Sequence, residues 1–206
     1  MLFLSFIKET FRVIRITLVL WLITALIYPL AILVVGQGLF PLKADGSVIQ
    51  ASEGIERKPI GSALIGQVFS SERYFQGRPS VVRYSQGRKA KPTGISGASN
   101  LAPSNPELLN RIIEQANEFG EESIEPTADL IYTSGSGLDP HISLKAARQQ
   151  IGRVARARGI KEDDILPLLN RFTDGRFLGI FGEPGVNILR LNYALDLADT
   201  LRKPNQ

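Results

Sequence analysis

The sequence predicts a single N-terminal transmembrane helix followed by one soluble domain of mixed α/β or α+β class. Two observations predict this fold. Residues 16–35 form a run of twenty residues without a charge, whereas residues 36–206 mix helix-like and strand-like patterns. No period of about 20–50 residues recurs, so a repeat architecture is not expected. The 206 residues leave room for one good-sized domain beside the span.

The uncharged run reads ITLVLWLITALIYPLAILVV. As a helix rising about 1.5 Å per residue, it crosses the roughly 30 Å hydrocarbon core of a bilayer. A cleaved secretory signal is the alternative, but its apolar core usually has about 7–15 residues and ends at a small-residue cleavage site. Here the run is longer and continues as VVGQG, which favours an uncleaved anchor. Pro29 removes one helix hydrogen bond, so we expect a kink there.

The charges beside the span predict its orientation. Lys8, Arg12 and Arg15 precede it, whereas Lys43 is the only basic residue within about twenty residues after Val35. The positive-inside rule therefore places residues 1–15 in the cytoplasm, residues 16–35 in the membrane and residues 36–206 outside it. In a bacterium, the soluble domain would then face the periplasm, where ATP is essentially absent.

Local patterns predict the first elements of the soluble domain. The segment GQGLFPLKADGSV is a Gly- and Pro-containing exit from the membrane with a turn at Asp45–Gly46. Residues 61–69, GSALIGQVF, are short, apolar and bounded by glycine, which is typical of a strand. Residues 78–103 are rich in Gly, Ser, Pro and Asn, and we expect a long surface loop of functional interest.

A helix is predicted to follow this loop. Ser104 and Glu107 fit a capping box, and Asn105 before Pro106 is an equally good cap. The face predicted to be buried comprises Leu108, Leu109, Ile112, Ile113, Ala116 and Phe119. Residues 128–134, ADLIYTS, then predict a short strand.

A second helix is predicted from a Ser143 cap to about Arg158. Its inward side chains are Ala146, Ala147, Ile151, Val154 and Ala155, and its predicted solvated face carries Arg148, Arg153, Arg156 and Arg158. Residues 163–172, DDILPLLNRF, predict another short helix. Residues 186–196, VNILRLNYALD, predict a late strand.

Composition excludes several classes of site. The chain has no cysteine, which rules out disulfides, thiolate metal sites and cysteine nucleophiles. It has one histidine, and its carboxylates lack a tight ligand spacing, so no metal is expected. The net charge of +4 comes partly from residues 1–35, and the remainder has 21 basic and 19 acidic side chains. We therefore expect no nucleic-acid partner.

The stretch TSGSGLDPHIS, residues 133–143, admits three interpretations. A hydrolase would use Ser136, Asp139 and His141, but G-x-S-x-G is absent and the three residues lie too close in sequence for the usual triad. A phosphate cradle would use the backbone N–H groups of SGSG, yet no P-loop motif accompanies it. A glycine-rich connection, with a turn at Asp139–Pro140 and the Ser143 cap, fits the local chemistry best.

Seven blocks, taken together, resemble one protein family. They are YPLAILVVGQGLFPLKADGS, GSALIGQVF, YFQGRPS, GASNLAPSNPEL, ADLIYTSGSGLDPHIS, RVARARG and VNILRLNYALD, and they run from about Tyr28 to Asp196. In this order they resemble KdpC, the C-subunit family of the bacterial potassium-transporting P-type ATPase. The resemblance implies a single-pass subunit of the inner membrane.

This resemblance implies partners and a role. The partners would be the potassium-pore subunit, the P-type ATPase subunit, a small single-span subunit and membrane lipid. The chain would be non-catalytic, assembling and stabilising the complex with no cofactor of its own, while the complex handles ATP and potassium. No D-K-T-G phosphorylation motif is present in the sequence, which agrees with that role.

The family is also described as a catalytic chaperone that raises the ATP affinity of the pump subunit. That description would assign ATP to Ser134, Gly135, Ser136, Gly137, Leu138 and Asp139. It conflicts with the predicted periplasmic domain, so any such effect would pass through partner subunits. The alternatives left open are a membrane-anchored periplasmic hydrolase and an anchored module that binds another partner through residues 78–103.

Overall fold

A computed structural model describes residues 2–53, 56–82, 95–122 and 124–202. The chain divides into two compact units, Met1–Val48 and Ile49–Gln206. An apolar helical segment forms most of the first unit, and the second is a domain of helices and small sheets. The predicted fold class is confirmed.

The membrane-spanning segment is helical over more residues than the predicted span. Helix α1 covers Leu2–Leu22 and helix α2 covers Tyr28–Leu39, with a π-helical turn at Ile23–Ile27 between them. Pro29 lies just after this turn and has no N–H to donate, so the widened turn adjusts the hydrogen-bonding pattern ahead of it. The stretch Ser5–Leu39 is long and apolar enough to cross a membrane, and none of its most apolar window is buried.

A short helix and a tight turn follow α2. Helix α3 covers Pro41–Ala44. In the turn that follows it, Gly46 and Ser47 have φ angles of 76° and 51°. Gln37 Nε2 donates to Asp45 Oδ1 at 3.1 Å, which links the end of α2 to this turn. The turn predicted at Asp45–Gly46 is confirmed.

The described residues of the second unit form two small sheets. Strands β1 (Val48–Glu53) and β2 (Glu56–Ser62) form one of them. Strands β3 (His141–Ser143), β4 (Thr173–Asp174) and β5 (Gly185–Asn187) form an antiparallel sheet in the order β3–β5–β4. In its register His141 pairs with Asn187 and Ile142 with Val186.

Five helices lie in the part of this domain that the structure describes: α4 (Pro106–Glu121), α5 (Ala128–Ile131), α6 (Leu144–Arg158), α7 (Glu162–Arg171) and α8 (Ile188–Arg202). Asn105 caps α4, because its Oδ1 accepts from Glu107 N–H at 2.9 Å, and Ser143 caps α6 as predicted. The largest fully buried apolar side chains are Phe75, Leu130, Val154, Ile165, Leu169, Val186, Leu191 and Leu195.

Three strand predictions are wrong, wholly or in part. Of residues 61–69, only the first two belong to β2, and residues 128–131 form α5 instead of a strand. In the last case β5 ends at Asn187 and α8 follows, with Ile188, Leu191 and Leu195 buried at helical spacing. Short apolar runs fit both the helical and the strand periodicity, and tertiary packing decides between helix and strand.

Two predicted helix faces also need correction. On α4, Phe119 is buried as expected, but Leu109 and Ile113 are 58% and 49% exposed. On α6, the five inward side chains are all buried, but so are Arg153 and Arg158, which were predicted to be solvated. In the long loop, residues 78–82 and 95–102 contain no helix or strand, as predicted, and residues 83–94 lie outside the described residues.

Candidate functional site

The connection Ser134–Asp139 joins α5 to β3, and three of its carbonyl groups accept hydrogen bonds from other loops. The donor–acceptor pairs are Gly97 N–H to Ser136 O (2.8 Å), Ser80 Oγ to Gly137 O (2.7 Å) and Gly66 N–H to Leu138 O (2.8 Å). Ser134 also donates its N–H to Pro79 O at 2.9 Å. These bonds fasten three separate segments of the chain to the connection.

Two further backbone N–H groups of the connection bind its own serine hydroxyls. Gly137 N–H donates to Ser134 Oγ and Leu138 N–H donates to Ser136 Oγ, both at 3.1 Å. A phosphate cradle works by directing such N–H groups at an anion. An anion at Gly137 or Leu138 would have to displace these bonds. The assignment of ATP to Ser134–Asp139 stays a prediction.

Gly137 is the position in the connection where no other residue fits. Its φ of +69° lies in the left-handed region, which side chains other than glycine rarely adopt. A Cβ atom there would clash with Val82 Cγ2 and lie 2.5 Å from Gly97 O. The close contact between these loops therefore depends on the missing side chain.

Beyond the connection, the single histidine lies between two carboxylates. His141 Nε2 is 3.1 Å from Asp174 Oδ2, and its Nδ1 is 3.7 Å from Asp139 Oδ1. Asp139 also accepts from His141 N–H at 3.0 Å and from Arg78 Nη1 at 3.2 Å. The sheet register creates this cluster, because β3 carries His141 and β4 carries Asp174 on either side of β5.

The cluster shifts the ionisation of its members. The hydrogen bond to Asp139 raises the pKa of His141, and although burial opposes it, the contact with Asp174 raises the pKa further. Burial raises the pKa of Asp139, but hydrogen bonds from His141 and Arg78 outweigh it, so its pKa lies below the ordinary value. The pair therefore favours a protonated imidazole beside an ionised carboxylate.

This geometry does not assemble a serine nucleophile with its base. Ser136 Oγ bonds to Ser134 Oγ at 3.2 Å and to Leu138 N–H, whereas the imidazole of His141 contacts Asp139, Asp174 and Asn187. A nucleophile–base hydrogen bond, which such hydrolases use, is absent between these described side chains. Over the described ranges, no three His, Asp or Glu side chains could hold a metal ion.

Sequence reasoning missed a set of side chains that holds the segment Glu72–Gln76. Gln150 Oε1 accepts from Gln76 N–H at 2.8 Å, and its Nε2 donates to Gln76 O at 3.1 Å. Asn192 forms the same pair of bonds with Phe75, both at 2.9 Å. The side-chain amides of α6 and α8 thus bind the backbone N–H and carbonyl groups of this segment, as the backbone of a neighbouring strand would.

The two buried arginines of α6 extend this arrangement. Arg153 donates to the carbonyls of Glu72 and Tyr74, at 2.9 and 3.1 Å. Arg158 Nε donates to the Arg73 carbonyl at 2.6 Å, and its other nitrogens bind two carboxylates of α8, Asp196 and Asp199. The side chain of Arg158 is fully buried.

A signal for these residues was present in the helix pattern. Gln150 and Arg158 each lie four positions from Val154, so they fall on the same face as the apolar stripe of α6. Polar side chains on a buried face need hydrogen-bond partners. What the sequence did not indicate was that these partners belong to the backbone of residues 72–76.

Comparisons with known proteins agree with the sequence resemblance. The KdpC family, described as "K+-transporting ATPase, c chain", matches residues 10–197. "Potassium-transporting ATPase KdpC subunit 2" of Nostoc sp. is 71% identical over 98% of this chain and 100% of its own length. "Potassium-transporting ATPase KdpC subunit" of Synechocystis sp. is 58% identical over 88% of this chain and 94% of its own. A protein of the same name from Caldanaerobacter subterraneus is 42% identical over 91% of this chain and 94% of its own. The chain therefore belongs to the KdpC family, the c chain of the potassium-transporting ATPase.

Proposed function

We propose that this chain is a non-catalytic subunit that assembles and stabilises the pore and P-type ATPase subunits of a potassium uptake complex. The observation that carries this proposal is the bonding of the Ser134–Asp139 connection. Three of its carbonyls and three of its N–H groups are occupied by bonds within the domain, as in a structural junction. The names of the relatives supply the complex to which such a domain would belong.

Copurification tests the assembly role. The gene for this chain is deleted in a strain that depends on the complex for potassium uptake, and the pump subunit is purified in mild detergent. We expect the pore subunit to be lost from the pump and uptake to fall. An intact pore–pump complex with normal uptake in the deletion strain would refute the proposal.

The proposal includes a location in the inner membrane with the main domain in the periplasm. Its support is the positive charge before the span, since Lys8, Arg12 and Arg15 favour a cytoplasmic N-terminus. The chain lacks cysteine, so Ser104→Cys and the matched control Ser5→Cys each introduce a single thiol.

Labelling of each thiol by a membrane-impermeant maleimide in intact spheroplasts shows on which side of the membrane it lies. We expect Ser104→Cys, exposed beside α4, to be labelled in intact spheroplasts and Ser5→Cys only after the membrane is opened. The reverse pattern would place the domain in the cytoplasm and make direct contact with ATP the better proposal.

An effect on the ATP affinity of the pump subunit would be transmitted through partner contacts, because a periplasmic domain cannot reach cytoplasmic ATP. A photoreactive ATP analogue applied to the purified complex should therefore label the pump subunit and leave this chain unlabelled. Labelling of this chain that disappears with Ser136→Ala, but not with the neighbouring half-buried control Thr133→Ala, would overturn this account.

A further inference from the structure

The turn between β4 and β5 exposes four large apolar side chains in five residues. Phe177, Leu178, Ile180 and Phe181 are 72%, 74%, 72% and 61% exposed. We call residues 176–183 the apolar hairpin. Soluble surfaces carry single exposed apolar residues routinely, but a contiguous group of this kind marks a surface that another apolar phase covers.

The hairpin is held together by its own bonds. Phe177 and Phe181 exchange both backbone hydrogen bonds, at 2.8 and 2.9 Å, and the N–H groups of Gly179 and Ile180 donate to carbonyls within the turn. At its base Arg176 Nη2 lies 3.0 Å from both carboxylate oxygens of Glu183. The turn therefore exists before any ligand arrives, and ordering it costs little on binding.

Stability of the fold does not explain the side chain at the tip. Leu178 has a φ of 53°, a backbone conformation that favours glycine or asparagine and is strained for leucine. It is also the most exposed of the four apolar residues, so it gains no burial within the domain. An apolar residue at a strained and exposed position indicates a role outside the fold.

The chemistry of the hairpin fits the apolar interior of a lipid leaflet. Inside a bilayer, backbone polar groups need partners from the same segment, and this turn supplies them for the N–H groups of Phe177, Gly179, Ile180 and Phe181. Its side chains are exposed at every apolar position of the tip, whereas a turn lying flat on a partner protein would keep a polar side toward water. The paired charges at its base suit the headgroup region.

We infer that the apolar hairpin inserts into the leaflet faced by the domain and forms a second membrane contact besides the N-terminal helix. This inference rests on the membrane anchoring of the chain and goes beyond the proposed assembly role. Only residues 40–48 separate the end of α2 from the second unit, so the domain is tied to the membrane by a short segment. Insertion depends on the side chains at positions 177, 178, 180 and 181.

Depth-dependent fluorescence quenching tests the insertion in the full chain. Leu178→Cys and the exposed control Ser104→Cys are each labelled with an environment-sensitive NBD fluorophore, and the assembled complex is placed in nanodiscs. Some nanodiscs contain lipids with a doxyl quencher near the headgroup end of the acyl chain. We expect the label at position 178 to emit at shorter wavelength and lose most of its intensity, while the control is unaffected.

A second variant excludes insertion caused by the apolar label itself. Phe177→Ser and Phe181→Ser are added to Leu178→Cys, and because both side chains are exposed, the fold should tolerate them. We expect quenching to fall toward the control level, and unchanged quenching would overturn the inference. A label at 178 that emits as in water would also overturn it. So would a label with blue-shifted emission and no lipid quenching, which would place the hairpin against a partner subunit. The assembly role fails by a different result, an intact pore–pump complex in the deletion strain, so the two failures are distinguishable.

Discussion

Replacing Asn192 with leucine tests whether helix α8 fixes the buried segment 72–76. Asn192 is 1% exposed, and its amide binds both backbone groups of Phe75, which is itself fully buried. Leucine has a similar shape but leaves that N–H and that carbonyl without these partners. At about 1–3 kcal/mol for each unsatisfied group, the loss is about 2–6 kcal/mol.

Part of this loss is recovered, because burying a leucine contributes roughly 1.5–3 kcal/mol. With the middle of each range, the net destabilisation of Asn192→Leu is about 2 kcal/mol, which lowers the Tm of a domain of this size by roughly 4–8 °C. The full chain in detergent is unfolded by urea and by heat, and helicity is followed by circular dichroism.

The matched control is Asn110→Leu, the same substitution at an exposed position of α4. We expect it to change the free energy of unfolding by no more than about 0.5 kcal/mol. If Asn192→Leu were as stable as this control, the amide of Asn192 would not be holding segment 72–76.

Three further predictions concern α6, the connection and the histidine cluster. Arg158→Leu should cost about 2–4 kcal/mol in thermal or urea unfolding, because two aspartates and a carbonyl each lose one partner. The exposed Arg156→Leu should cost little, and equal effects of the two changes would contradict this. Gly137→Ala should lower the free energy of unfolding by about 2 kcal/mol or more through backbone strain and steric clash. The control Gly135→Ala has open space around it and should not. A Gly137→Ala protein as stable as the parent would refute the close contact of Gly137 with Gly97. The pKa of His141 is raised on folding, so its stabilising contribution is complete below about pH 6.5 and is lost as the pH rises through the folded value. His141→Gln should therefore destabilise the chain more at about pH 5.5 than at about pH 8.5, and equal losses at both would argue against the His141–Asp contacts.

Local sequence patterns were sufficient wherever one element carries its own signal. The uncharged run 16–35 predicted the spanning helix, and the Ser143 cap followed by buried alanines predicted α6 almost to the residue. Such elements need only their own length, periodicity and caps. The short apolar runs at 61–69, 128–134 and 186–196 lack these features, and their secondary structure depends on neighbours distant in sequence.

The candidate site divides in the same way. The glycine-rich connection and its cap could be recognised from Ser134–Ser143, because turn and capping residues act on adjacent backbone. The contact of His141 with Asp174 could not be recognised from the sequence, because only the strand register brings together these residues, which lie 33 positions apart.

The sequence by itself determined a membrane span, a mixed domain and the family to which the chain belongs. The tertiary structure decided which polar side chains are buried and which apolar ones are exposed. Arg153 and Arg158 became interior because the carbonyls of residues 72–74 and nearby carboxylates replace the water they lose. The apolar hairpin is exterior: backbone bonds within the turn close it, and the rest of the domain leaves its four large apolar side chains more than half exposed. The burial of the two arginines depends on partners that only the folded chain brings together, so no local pattern predicts it.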